Sequence, residues 1–106
     1  MPSMPTALLS WKSVPRNTLR GFADVRIGKS LIIRDVSVHT ANGARWASAP
    51  SKPVIQDGRV VVDDRGKPKY VPIVEWADKE SREAFSEGVL AAVEREHPGA
   101  TSSDAA

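Results

Sequence analysis

Cysteine is missing altogether from the 106 residues. That removes disulfide staples, thiolate metal sites and cysteine nucleophiles, and it fits a reducing compartment. Aromatic residues are scarce, with three Trp, two Phe and one Tyr, and there are only two histidines. No apolar run approaches the roughly twenty residues that a helix needs to cross a bilayer. The patch Ala7-Leu8-Leu9, preceded by prolines at 2 and 5, is too short for the apolar region of a signal peptide. A soluble, cytoplasmic chain with no membrane contact is expected. A chain of this length supports one domain with a modest core, so burial against a second copy would help it.

What is present is charge, unevenly placed. Residues 1–69 hold twelve Lys and Arg against five Asp and Glu, whereas residues 70–106 hold three against eight; the net charge of +2 conceals this split. Two readings fit it. Either a basic sheet-and-loop surface meets polyanions, or the two halves pack together and match charge internally.

Along the chain, residues 1–18 carry prolines at 2, 5 and 15 and show no sustained period, which predicts a flexible N-terminal arm. Lys12 and Arg16 in it can reach phosphates, and Trp11 reads as packing on the domain or on a second subunit. In Leu19 to Ile27, Ala23, Val25 and Ile27 share one face and Phe22, Asp24 and Arg26 the other, as in a strand. After a turn at Gly28-Lys29-Ser30, Leu31 to Thr40 is a second strand whose phase switches: Leu31 and Ile33 alternate, then Val36 and Val38. A β-bulge near Arg34-Asp35 explains the switch. Asn42-Gly43 is a tight hairpin turn, and Ala44 to Ala49 returns as a third strand. Pro50-Ser51-Lys52-Pro53 stops it.

A looser hairpin turns at Asp57-Gly58, and Asp63 to Lys69 is a polar turn. The Asp63-Asp64 pair lacks the remaining ligands of a calcium loop, so no metal is expected there. Tyr70 to Trp76 is a further strand, with Pro72 arguing for an edge or irregular segment. Asp78 is the expected N-cap of a helix that runs to about Glu96 and stops at His97-Pro98-Gly99. Its apolar stripe, Phe85, Gly88, Val89, Ala92 and Val93, is a lid for the sheet. The fold class expected is therefore α+β: a small twisted antiparallel sheet of four to five strands packed on one C-terminal helix.

Chemistry narrows the function. His39 and His97 have no carboxylate or nucleophile beside them in sequence, and no phosphate-cradling glycine loop or nucleophile elbow is present. No catalysis and no cofactor are expected. A nucleic-acid reading fits better, because phosphates require distributed cations and Tyr70, Trp46 and Phe22 offer rings for stacking. For Trp46 and Phe22 a core position is the expected one, as for most strand aromatics. The helix carries Glu80, Glu83, Glu87, Glu94 and Glu96, a poor face for the major groove, so contact would come from strands and loops.

The ordered set Asp24-Val25-Arg26-Ile27, Ile33-Arg34-Asp35-Val36-Ser37-Val38, Asn42-Gly43 and Pro50-Ser51-Lys52, followed by Val71-Pro72-Ile73 before the helix, resembles the SpoVG family of bacterial septation and sporulation regulators. The resemblance spans Leu19 to about Glu96. It implies a small α+β domain that dimerises through strands and binds DNA and RNA without catalysis. The chain departs from that pattern in a shorter route between its first two strands, an acidic helix and an added leader. The resulting division is a flexible arm at 1–18, a SpoVG-like domain at 19–97 and a disordered tail at 98–106. The expected phosphate contacts are Arg26, Lys29, Arg34, Arg45, Lys52, Lys67 and Lys69, with Tyr70 as a stacker, in a homodimer paired through strands. The alternative is a protein-interaction module that uses an exposed edge strand or the Pro50–Pro53 loop and binds no nucleic acid.

Overall fold

Period-two alternation of apolar residues is satisfied when one sheet face is covered and the other is left open. The computed structural model, which describes residues 4–101, shows that solution. Four strands, β1 (Thr6–Arg16), β2 (Leu19–Ile27), β3 (Leu31–Ala41) and β4 (Ala44–Ser48), form an antiparallel sheet in the order β1-β2-β3-β4. One helix, α1 (Lys79–Glu96), covers one face. Ala23, Val25, Ile33, Val36, Val38 and Ala47 point from the sheet toward Phe85, Val89 and Val93 of the helix. Each fully buried Val or Phe in this layer stabilises the fold by about 1.5–3 kcal/mol through loss of apolar surface from water.

The turns follow their sequences. Asn42 and Gly43 take φ of 50° and 79°, and Asp57 and Gly58 take 51° and 76°, the left-handed pair that a two-residue hairpin needs. The bulge lies where the phase switch puts it. Ala23 faces Val36 and Val25 faces Ile33, so Asp24 alone opposes Arg34 and Asp35. Asp35 sits at φ 58°, and its N–H donates to Asp24 Oδ1 at 3.0 Å.

Asp78 caps α1 by accepting the Ser81 N–H at 2.7 Å, and His97 ends it by donating its N–H to Val93 O at 2.7 Å. Gly88 allows the helix to lie close to the chain before and within β1: a Cβ there would come within 2.5 Å of Thr6 Oγ1 and 3.0 Å of Met4 O. On the other side, Ser86 Oγ accepts the Ala47 N–H at 2.9 Å, so the helix also occupies part of the free edge of β4 and shields it from another strand.

Three expectations change. The segment expected to be a flexible arm is instead the edge strand β1, paired with β2 from Thr6↔Ile27 to Arg16↔Leu19. Leu8 and Trp11 pack on the core, and burying them outweighs the chain entropy that ordering costs. The start of the domain therefore moves from residue 19 to the beginning of the described chain. Part of the expected tail is also held against the fold: Pro98 and Gly99 are exposed, but Ala100 packs on the core, and Thr101 is buried, accepts the Thr40 hydroxyl at its carbonyl (2.6 Å) and donates its own hydroxyl to Glu94 at 2.7 Å. Residues 1–3 and 102–106 lie outside the described residues. Finally, the strand expected at Tyr70 to Trp76 does not join the main sheet.

That last segment belongs to a β-arm. β5 (Ser51–Pro53) pairs with β8 (Tyr70–Pro72), β6 (Ile55–Gln56) pairs with β7 (Arg59–Val60), and Val62 bridges Pro68. The arm shares no ladder with the four-stranded sheet. Its base is closed by the Ile73 N–H donating to Pro50 O at 3.1 Å. Only Val54 and Val61 within it are half-buried; the rest is exposed.

Candidate nucleic-acid interface

Three places hold the cations expected to meet phosphate. The first is the β-arm. Lys52 stands opposite Val71 and Pro53 opposite Tyr70, so alternation places Lys52 and Lys69 on one face and Tyr70 on the other. Tyr70 is 60% exposed. Lys67 is set by the polar turn, in which the Asp63 carboxylate accepts the N–H groups of Arg65 (2.8 Å) and Lys67 (3.0 Å). That carboxylate closes the turn, which accounts for Asp63.

The second place is the end of the sheet, with Arg26 exposed on β2 and Lys29 in the β2–β3 turn. Arg34 belongs to this region but is engaged: its Nη1 lies 3.2 Å from Asp24 Oδ2. The Asp35 N–H, the Ser10 hydroxyl and the Arg34 charge together hold the Asp24 carboxyl below its ordinary range. The third place is Arg45, which faces Thr40 in register and therefore lies on the helix side of β4. Its charge adds slightly to the lowering of the Glu94 carboxyl, which comes first from the Gly99 N–H and then from the Thr101 hydroxyl. The eight expected residues thus divide among the arm, one sheet end and the helix side. Among the described residues, Arg34 is the only one of the seven cations in an ion pair.

Among the described residues no helix or strand covers the sheet face turned away from α1. Across its four strands Lys12 stands opposite Phe22, Phe22 opposite Ser37, and Ser37 opposite Ser48. A second row sets His39 opposite Trp46, with the rings stacked at a centroid distance of 5.3 Å and an angle of 7°. Thr18 Oγ1 lies 3.1 Å from His39 Nδ1, and partial burial pushes the His39 pKa down. Trp46 is 37% exposed and Phe22 half-buried. Both were expected in the core, but the helix covers the opposite side of the sheet and leaves them at an open face.

Where this face meets the base of the arm, Ala49, Pro50, Ser51 and Ile73 form one wall of a groove of about 710 Å³. Its floor is the Lys12-Phe22-Ser37-Ser48 row, and Ser10, Asp24 and Asp35 complete it. A volume of this size lies in the range of small-molecule binding sites. Sequence reading placed Lys12 on an arm and missed its position beside Phe22. The register break between Leu8 and Ser10 shifts the phase of β1 by one residue and hides the alternation that marks a strand.

Among the described residues no group of three or more His, Asp and Glu side chains is placed to hold a metal ion, and no helix is long and apolar enough to cross a membrane. Searches against protein-family models, curated proteins and solved structures return no match to this chain.

Proposed function

We propose that this chain is a SpoVG-like, non-catalytic regulator that binds DNA or RNA in the cytoplasm as a homodimer. The observation that carries the reading is the set of cations left without acid partners among the described residues: Lys52, Lys67 and Lys69 on a projecting arm, Arg26 and Lys29 at the sheet end, and Lys12 on the open face. Free cations spread over strands and turns suit a phosphate backbone, and each contact releases counterions on binding. The acidic helix lies on the other side of the sheet, where it does not oppose a polyanion on the open face. In a dimer the exposed apolar residues of the arm, Ile55 and Ile73 among them at 60% and 59% exposure, would be covered by the second copy, and two sets of cations would join into one longer track.

Titration of the full chain against labelled single-stranded DNA, duplex DNA and RNA at low and high salt tests this. Binding at low salt that fades at high salt is expected. Absence of binding to all three at low salt refutes the reading. The same exposed apolar residues favour a second reading, a module that holds a protein partner on its arm; salt-insensitive association with a co-purifying protein would select it.

A further inference from the structure

We propose that the groove on the open sheet face receives one unpaired base of a single-stranded nucleic acid, with Phe22 as its stacking platform and Lys12 as its phosphate contact. This rests on the nucleic-acid reading above and names the site and the strandedness within it. The geometry comes from the cross-sheet row. With neighbouring strands about 4.8 Å apart, Lys12 to Ser48 spans about 15 Å, enough for one nucleotide with its phosphate at the Lys12 end.

Phe22 lies next to Lys12 in register, so ring and cation are presented side by side. Ile73 and Pro50 rise from the arm base along the groove and supply an apolar wall against which a flat ring is held. Ser37 and Ser48 give hydroxyls that both donate and accept, as base edges require. Asp35 also lines the groove, and among the described residues its carboxylate has no hydrogen-bond or ion-pair partner. A carboxylate accepts only, so it favours bases with amino hydrogens, cytosine among them.

The site discriminates strandedness for a physical reason. A platform reads the π-face of a base, and in a duplex that face is covered by its neighbours, whereas in a single strand it is available. Charge around the groove favours this occupant over a second copy of the chain: within it Lys12 offsets the Asp35 carboxylate and Arg34 offsets Asp24, while the sheet end beside it presents the exposed Arg26 and Lys29 and the acidic helix is on the far side.

The test uses the full chain, a cytosine-rich single strand, oligo-dT and a duplex of equal length at one salt concentration. Phe22→Leu keeps an apolar side chain on the open face, and its melting temperature is measured alongside. It is expected to weaken cytosine-rich single strands about tenfold or more, to weaken oligo-dT similarly, and to leave the duplex within about twofold. A second measurement needs no variant: a strand carrying 5-iodocytosine, irradiated on the wild-type chain, is expected to crosslink within the tryptic segment Gly21–Arg26. Equal loss on single strands and duplex, or crosslinks confined to the arm around Tyr70, overturns the groove while leaving the general function standing. Failure of the wild-type chain to bind any of the three overturns both. Protection of Gly21–Arg26 that rises with protein concentration in the absence of nucleic acid assigns the groove to a second copy and overturns the proposal.

Discussion

Neutralising the arm is the perturbation with the clearest arithmetic. Lys52, Lys67 and Lys69 are exposed and lack ion pairs among the described residues, so replacing all three by glutamine removes charge without orphaning a buried acid. On single strands each phosphate contact contributes about 0.7 to the slope of log affinity against log salt. Three lost contacts lower that slope by about 2. Between about 50 and about 200 mM salt the wild-type affinity should then fall roughly twentyfold more than that of the triple variant. Fluorescence anisotropy at four or five salt concentrations reads the slope directly, and circular dichroism confirms that the variant is folded. Arg45→Gln is the internal control, because Arg45 lies on the helix side of the sheet; its slope should match the wild type. A triple variant that keeps the wild-type slope would falsify the assignment of the arm to phosphate contact.

The other expected outcomes concern the scaffold. Phe85→Ala empties a site that is 1% exposed between helix and sheet and should destabilise the fold by about 3–5 kcal/mol in urea unfolding; a loss under about 1 kcal/mol would show that α1 is not the lid. Gly88→Ala should destabilise by about 1–3 kcal/mol through collision with Thr6, against a helix-propensity gain of about 1 kcal/mol. Adding Thr6→Ala should recover part of that loss, and strict additivity of the two changes in a double-mutant cycle would refute the contact. Deleting residues 1–16 should abolish cooperative unfolding, because it removes β1 and exposes the β2 edge; a stable, folded truncation would restore the reading of this segment as an arm.

The Glu94 clamp gives a pH dependence. Its carboxylate is held below the ordinary glutamate value of 4.5, chiefly by the Gly99 N–H. The folded state therefore binds the proton less readily than the unfolded state. The clamp's stabilisation is complete above the unfolded value and is lost as pH falls through the lowered folded one. Glu94→Gln should lower stability at neutral pH, with a gap in melting temperature from the wild type that closes as pH falls below the ordinary glutamate value. A gap independent of pH would refute the clamp.

Local chemistry alone determined much of this protein. Asn42-Gly43 and Asp57-Gly58 favour left-handed turns, the valine alternation divides each strand into two faces, a phase switch locates the bulge at Arg34-Asp35, and Asp78 and His97-Pro98-Gly99 bound the helix. These signals are short-range, so they survive in the sequence as composition and period. Tertiary structure decided the rest. β1 is a strand because Leu8 and Trp11 find the core and because β2 offers an open edge, neither of which its proline-rich, bulge-broken sequence declares. Phe22 and Trp46 lie on the open face because a single helix can cover only one side of a four-stranded sheet, and alternation marks two faces without saying which is left uncovered. Pairing of Arg34 with Asp24, the place of Arg45 behind the sheet and the row that joins Lys12 to Phe22 depend on register between strands. Register is a property of several segments at once and cannot be read from any one of them.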